Sequence, residues 1–203
     1  MLAALVGILQ SSSDEKGITA ERHTEWLLLF VLHSCRRVLE TQFLFVHATR
    51  RAITWLNLFA GISFYVMVPV TLYECSWHTS SESSGTIAML VFLLANLGQL
   101  KAHWCLSQLR SNTGQNKNRT PSQSNYKIPN GLLFQRLSSP HYSLEIILYA
   151  CLLVGCEDPL LLLPFTFVVL NVGDAAFRTQ RWYYRQFGDS YPKNRAILIP
   201  NVW

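Results

Sequence analysis

Charged residues are scarce in this chain. Only 14% of its 203 residues are Asp, Glu, Lys or Arg, whereas hydrophobic residues make up 50%. A soluble globular domain carries about 25% charged residues. The composition therefore argues against a soluble domain and favours a protein that faces lipid over much of its surface.

Familiar ligand-binding motifs are also missing. The sequence has neither a Walker A pattern nor a GxGxxG fingerprint, which excludes the two common nucleotide-binding folds. It has no CxxC spacing, so we expect no metal site and interpret its cysteines as apolar fillers, with a Cys75–Cys156 disulfide as the alternative. No basic face alternates with aromatic residues, and we expect no nucleic-acid partner.

The apolar residues, in contrast, are gathered into long runs. About 20 residues cover a hydrocarbon core of roughly 30 Å, and one or two such runs would fit the core of a soluble helical protein. Five are present, at residues 25–46, 52–73, 86–109, 142–157 and 158–178. The pattern predicts an all-α polytopic membrane protein with about five transmembrane helices.

Charge placement predicts how these helices are oriented. Basic residues are concentrated in the connection 110–141 and in the C-terminal tail, whereas the alternate connections hold Glu74, Glu82, Glu157 and Asp158. By the positive-inside rule, residues 1–24 form a luminal segment, and loop 110–141 and the C-terminus are cytosolic. Residues 25–203 then form one membrane domain. The net charge of +5 reflects topology.

Polar side chains inside the first span are candidate functional residues. A Lys or Arg at mid-bilayer costs about 2.5–3.5 kcal/mol, so such groups are rarely incidental. Arg36 and Glu40 are four residues apart and are expected to pair on one helical face. Arg37 has no obvious local partner, and we expect it to face a polar cavity.

The third and fourth spans carry further polar groups. Gln99, His103 and Arg110 lie along one side of the third helix, and His141 and Glu145 share a face of the fourth. For Arg110, snorkelling of a terminal residue to the interface is an equally good explanation. We expect His103 and Glu145 to share the cavity of Arg37.

The cytosolic connection contains a turn-rich segment suited to an anion. Lys127 supplies a cation, Tyr126 a ring with a polar tip, and Pro129 and Gly131 a turn. Residues 138–140 (Ser-Ser-Pro) are typical of a helix start, whose free N–H groups attract anions. A phosphate-bearing cofactor that meets a lipid-dissolved substrate is the interpretation we favour.

These residues together resemble a known family. The segments Tyr126-Lys-Ile-Pro-x-Gly-x-x-Phe134, Ser138-Ser139, Glu145, Trp182-Tyr183 and Tyr191-Pro-Lys-x-Arg195 resemble the C-terminal domain of the steroid 5α-reductase family. Residues 33–40 and 101–110 look most like its polyprenol reductase branch. The resemblance extends from about residue 25 to residue 203.

The resemblance implies a function. Members are seven-span, NADPH-dependent reductases of the endoplasmic reticulum membrane, and this chain corresponds to the C-terminal part of that bundle. It implies reduction of the α-isoprene double bond of polyprenal (polyprenol), a polyprenyl lipid, toward dolichol for protein N-glycosylation. The implied catalytic residues are Tyr183 and Glu145. The expected cofactor-binding residues are Arg37, Gln99, His103, Arg110, Tyr126, Lys127, His141, Glu145 and Tyr183.

The sequence departs from the family pattern, and more than one function fits it. His141 stands where steroid reductases carry Asn, His103 where they carry an acid, and Gln180 where a His is common. A reductase of 3-oxo-4-ene steroids or of enoyl thioesters would use the same layout. A membrane methyltransferase that uses S-adenosylmethionine would have a similar layout, and a truncated, non-catalytic membrane isoform would also have this sequence pattern.

Overall fold

The fold is built from helices. The computed structural model describes residues 24–44, 55–74, 82–114, 127–131, 133–156 and 158–199. Helix α1 covers residues 24–39 and continues as a π-helical turn, Glu40–Leu44. The other long helices are α2 (Trp55–Glu74), α3 (Glu82–Gly114), α4 (Pro140–Cys156) and α5 (Leu162–Phe187). The described ranges contain no strand, so the predicted all-helical fold with five helices is confirmed.

Helix starts and ends follow local chemistry. Pro140 opens α4, where its missing N–H costs nothing. Asp158 accepts a hydrogen bond from the Leu160 N–H at 2.8 Å and caps the short 3-10 helix Pro159–Leu161. Gly188 ends α5 with a φ of 54°, a left-handed conformation that glycine adopts without a Cβ penalty.

Two helices extend beyond the apolar runs that predicted them. The third run ends at residue 109, but α3 continues to Gly114, and the fifth ends at residue 178, but α5 continues to Phe187. Hydropathy detects only the lipid-compatible part of a helix, and both helices continue into polar sequence. At 33 residues, α3 is about 50 Å long, more than a bilayer core of roughly 30 Å requires.

Helix α4 lies at the centre of the bundle. Its Tyr149 contacts Phe30 of α1 and Phe64 of α2, with ring centroids 6.4 and 5.5 Å apart. On its other faces α4 packs against α3 and α5. Gly155 allows α1 to approach closely, because a Cβ at this position would lie 2.2 Å from the Trp26 ring. One apolar core thus joins α4 to the other four helices.

The outer faces of the helices are apolar and exposed. Large hydrophobic side chains point outward along the described helices, among them Leu32, Phe59, Leu94 and Leu170. By length and composition, the segments Ser84–Leu109 and Pro159–Ser190 are able to cross a membrane, and Gly61–Tyr73 and Pro140–Cys156 are shorter apolar helices. An apolar exterior of this extent suits lipid better than water.

The cysteines only partly match the prediction. Cys35, Cys105 and Cys151 are free, as fillers would be. Cys156, at the end of α4, is disulfide-bonded, so the filler interpretation is wrong for this residue. Its predicted partner, Cys75, lies outside the described residues. A lack of CxxC spacing excludes local pairing but carries no information on cysteines that the fold brings together.

Candidate cofactor site and active site

A buried ionic cluster joins α1 to α3. Glu40 accepts hydrogen bonds from Arg36 and, at 2.7 Å, from Nη1 of Arg37. The predicted Arg36–Glu40 pair is confirmed, but the expectation that Arg37 lacks a local partner is wrong. One carboxylate has two oxygens, and residues three and four positions earlier in a helix are both within its reach.

His103 of α3 completes this cluster. Its Nδ1 lies 2.7 Å from Oε2 of Glu40 and 3.0 Å from Nη1 of Arg37. A guanidinium only donates and a carboxylate only accepts. Nδ1 therefore either donates to Glu40 or accepts from Arg37, and the protonation of His103 depends on which partner it engages.

Gln99 connects this cluster to α4. Its Oε1 accepts from Arg36, while its Nε2 donates to the Glu145 carboxylate and, at 3.2 Å, to the main-chain oxygen of His141. The amide thus uses both ends and fixes its own orientation. The sequence predicted one polar cavity shared by Arg37, His103 and Glu145. In the structure Arg37 contacts His103, and Gln99 links Arg36 of this cluster to Glu145.

The cluster ends one turn deeper in the bundle, at His33 and Asn96. Nδ1 of His33 lies 3.0 Å from Oδ1 of Asn96, and its Nε2 lies 3.7 Å from Oε1 of Glu145. Asn96 also accepts from Nε of Arg36 at 3.1 Å. The rings of Phe92 and Tyr149 flank His33. Beyond this point the core is apolar.

The C-terminal tail docks onto the segment that precedes α4. Ser138 N–H donates to Ala196 O at 2.9 Å, and Ala196 N–H donates to Arg136 O at 2.9 Å, which forms an isolated parallel bridge. The Ser143 hydroxyl donates to Leu198 O at 2.6 Å. Two motifs far apart in sequence therefore form one surface at the His141 end of α4.

A buried arginine and two stacked rings hold this surface together. Arg195 donates to Pro129 O at 3.0 Å and to Oδ1 of Asn130 at 3.2 Å. Its guanidinium lies 5.5 Å from the ring centroid of Tyr191, which stacks on Tyr183 at 5.2 Å with an interplanar angle of 12°. Burial raises the pKa of Tyr191, so this phenol stays neutral near pH 7.

The predicted site residues fall into two neighbouring groups. Arg37, Gln99, His103, His141 and Glu145 belong to or border the buried cluster, and the His103 and His141 rings are 5.3 Å apart. Tyr183 belongs to the stacked rings, and Lys127 is exposed on the segment that Arg195 anchors. Tyr126 lies outside the described residues; Arg110 lies in α3, and its side chain is not described. The two proposed catalytic residues, Glu145 and Tyr183, contact different groups.

Sequence reasoning did not select three residues that the structure singles out. His33 and Asn96 close the deep end of the cluster, and Arg195 anchors the tail. The spacing of Asn96, Gln99 and His103, at i, i+3 and i+7 in an apolar run, was an available signal for Asn96. Arg195 belongs to the tail motif that carries the family resemblance, but its partners Pro129 and Asn130 are more than 60 positions away, so its anchoring role did not follow from the sequence.

The residues present fit a nicotinamide dinucleotide. Its phosphates need cations that a ligand can reach, and Arg37, with 27% of its side chain exposed, and exposed Lys127 are such cations. Buried Gln99 and His103 add fixed polar groups further in. No group of metal-ligating side chains occurs in the part of the chain that the structure describes.

The fold and the site define an all-helical protein with a polar site sunk into an apolar bundle. Residues 44–203 match the family model described as 3-oxo-5-alpha-steroid 4-dehydrogenase. The chain therefore belongs to this family, the steroid 5α-reductases, which are oxidoreductases.

The chain is also similar to individual reductases of known name. The chain is 32% identical over 216 residues to Polyprenal reductase 2 of Arabidopsis thaliana, covering 87% of this chain and 60% of that protein. It is 27% identical to Polyprenal reductase of Xenopus tropicalis, with 87% and 60% covered. It is 29% identical to Very-long-chain enoyl-CoA reductase of Dictyostelium discoideum, with 86% and 56% covered. The chain thus spans about three-fifths of the length of these relatives.

Proposed function

We propose that this chain reduces the α-isoprene double bond of polyprenal with NADPH, giving dolichal on the way to dolichol. The observation that carries the proposal is the similarity to polyprenal reductases over 87% of the chain. The buried polar cluster supports it, because such a group in an apolar bundle suits a polar reaction on a lipid. Dolichol-linked N-glycosylation would depend on this step.

The cofactor would lie across the two groups of site residues. Arg37 and Lys127, with Arg110 behind them, would hold its phosphates, and Gln99, His103, His141 and Tyr126 would line the remainder. When bound, NADPH would supply a hydride to the β-carbon of the unsaturated aldehyde. The chain itself would bind and orient both partners and exclude water from the bundle.

Protein side chains would stabilise the charge that develops on the substrate and assist its protonation. As the β-carbon is reduced, negative charge moves to the substrate carbonyl oxygen, and a positioned donor stabilises it. An allylic alcohol has no carbonyl to accept this charge, and we therefore propose polyprenal as the direct substrate. Tyr183 would donate to that oxygen. The proton for the α-carbon would come from solvent, and Glu145, which Gln99 and His33 hold in place, would orient its donor as a hydrogen-bond acceptor.

The membrane setting is part of the proposal. We infer a multi-pass protein of the endoplasmic reticulum in which the His141 end of α4 and the C-terminus face the cytosol. Basic residues near that end support this orientation. The disulfide-bonded Cys156 supports it independently, because disulfides persist in the lumen and Cys156 lies at the opposite end of α4.

A reconstituted assay tests the function. The chain is placed in nanodiscs with polyprenal and NADPH, and dolichal is measured by mass spectrometry. Tyr183→Phe is expected to lower kcat by about 10²-fold or more, the effect of losing one donor to a developing oxyanion. Tyr184→Phe is the matched control, since it removes the neighbouring hydroxyl and should keep activity. No dolichal from the wild-type chain, where a full-length relative produces it, would refute the proposal.

A second candidate follows from the Dictyostelium relative, which is named as an enoyl-CoA reductase. Its substrate also carries a double bond conjugated to a carbonyl, so the same site would serve. Lipid extracts from cells that lack the gene separate the two, because only loss of polyprenal reduction raises polyprenols. Binding of labelled NADPH, compared with S-adenosylmethionine, tests for a methyltransferase.

The length of the chain also allows a non-catalytic role. The chain covers about 60% of the polyprenal reductases it resembles. The test is complementation: the 203-residue chain is expressed in cells that lack polyprenal reductase, and dolichol is measured. Restored dolichol would exclude a purely non-catalytic isoform, and absence of rescue by a well-expressed chain would favour one.

A further inference from the structure

Three hydrogen-bond partners surround the Glu40 carboxylate, whose two oxygens offer about four lone-pair sites. Arg36 bonds Oε1, whereas Arg37 and His103 both contact Oε2 at 2.7 Å. If Arg37 moved away, Arg36 and His103 would still satisfy the carboxylate. Arg37 is therefore the partner whose departure leaves one contact on each Glu40 oxygen, Arg36 on Oε1 and His103 on Oε2.

Side-chain exposure also distinguishes Arg37 from the other charged residues of the cluster. The Glu40 side chain is 2% exposed and that of Arg36 is 17% exposed, but that of Arg37 is 27% exposed. Toward the described residues, Arg37 contacts Glu40 and His103 through Nη1, and a guanidinium has five N–H donors in all. Arg37 is thus the cation of this cluster best able to reach a ligand from the open side.

The charges in the cluster balance without a ligand. The two guanidinium groups of Arg36 and Arg37 are matched in number by the two carboxylates of Glu40 and Glu145. Two adjacent guanidinium groups in an apolar bundle need such anions, since an unpaired buried charge is strongly unfavourable. An incoming phosphate would compete with Glu40 for Arg37, because a cation shared by two anions binds each less tightly.

We propose that Glu40 is the internal counter-anion of Arg37 and that a phosphate of the dinucleotide displaces it when the cofactor binds. The inference rests on the proposed function for the identity of the ligand, and it assigns a role to a residue outside the predicted site. Glu40 neutralises the cationic site while it is empty and sets the affinity for the cofactor by competition. It contacts neither the substrate nor the reacting atoms.

Competition predicts the direction of an affinity change. Glu40→Gln keeps an oxygen that accepts from Arg36 but removes the negative charge. It should tighten NADPH binding by about tenfold, within the range of roughly 5- to 150-fold usual for coupled sites. KM for NADPH should fall, while KM for polyprenal stays unchanged. The variant should also melt at a lower temperature without cofactor, because Arg37 has lost its partner.

Two further variants make the test specific. Glu40→Asp draws the carboxylate away from Arg37 by one methylene and should also tighten NADPH binding, but less than Glu40→Gln does. If Glu40→Gln does not fold, Glu40→Asp tests whether Glu40 competes with the cofactor. Asp174→Asn changes the net charge equally at an exposed ion pair with Arg178 on α5, and should leave NADPH affinity unchanged. Weaker or unaltered NADPH binding by both Glu40 variants would overturn the proposal.

The experiment separates this inference from the proposed function. Binding of labelled NADPH to the wild-type chain in nanodiscs is measured first, and a failure to bind counts against the function. The Glu40 variants are then tested with inorganic pyrophosphate, by the rise in melting temperature that it causes. A larger rise for Glu40→Gln than for wild type supports the counter-anion role, and an equal or smaller rise refutes it.

Discussion

Replacing Arg195 by methionine tests how the tail is held against the rest of the protein. Arg195 is 5% exposed, and its two hydrogen bonds to Pro129 O and Asn130 Oδ1 join the tail to the segment before α4. Methionine keeps much of the apolar volume but removes both bonds. The variant therefore isolates the polar contribution of this side chain.

The size of the effect follows from these contacts. A hydrogen bond from a charged group contributes about 1.5–3 kcal/mol, and a buried acceptor left unsatisfied adds a penalty. Because methionine still packs on Tyr191, we expect a loss of about 3 kcal/mol in the docking of the tail. Since each 1.4 kcal/mol is about a factor of ten, the undocked fraction should rise roughly a hundredfold.

Hydrogen–deuterium exchange measures this fraction directly. The amides of Ser138 and Ala196 are bonded across the docked surface, and their exchange should accelerate by about two orders of magnitude in Arg195→Met. Amides in the middle of α4 should keep their protection. Lys193→Met is the matched control, because Lys193 is exposed and its ion pair is with exposed Asp189, a contact that contributes less than about 1 kcal/mol.

The result that would refute this reasoning is equal exchange at Ser138 and Ala196 in wild type and Arg195→Met. Faster exchange throughout α4 would also count against it, since that would show global destabilisation. Loss of protection confined to the docked surface, together with weaker NADPH binding, would link the anchor to the site residues Lys127 and Tyr183.

Two other substitutions test the packing of α4. Gly155→Ala places a Cβ against the Trp26 ring, where there is no room, and should destabilise the protein by about 1–3 kcal/mol. Gly173→Ala is the control, because the space around Gly173 is open, and it should not destabilise the protein. Thermal unfolding in detergent compares the two variants. Cys156→Ser should remove a disulfide and lower stability by about 2–4 kcal/mol, whereas Cys151→Ser, at a free cysteine, should leave the non-reducing gel mobility unchanged.

Helix number and approximate position were predictable because they depend on local sequence. Each apolar run produced one helix, and polar residues at i and i+4 spacing, such as His141 and Glu145, mark one face regardless of what the helix packs against. Helix ends were less predictable. The hydropathy that detects α3 and α5 fades where their sequences become polar, although the helices continue.

Contacts between distant segments were predictable only in part. Arg37, His103 and Glu145 were expected to share one cavity because each is a polar group in an apolar run, where an unpaired polar group is unfavourable. The Arg37–Glu40 contact was missed because a single carboxylate was assigned a single partner. The anchoring of Pro129 and Asn130 by Arg195 could not be derived, since it depends on how the tail folds back.

Helix α4 contacts both the buried cluster and the docked tail. Through Glu145, α4 joins charges that require exclusion of water; through Ser143, it binds a tail that closes over the polar end of the bundle. The tail packs against the same end of α4 that carries Glu145, so displacement of the tail would open this end of the bundle to water. We therefore expect Arg195→Met to weaken cofactor binding without contacting the cofactor, because water entering the bundle weakens the ion pairs that position Arg37 and Gln99.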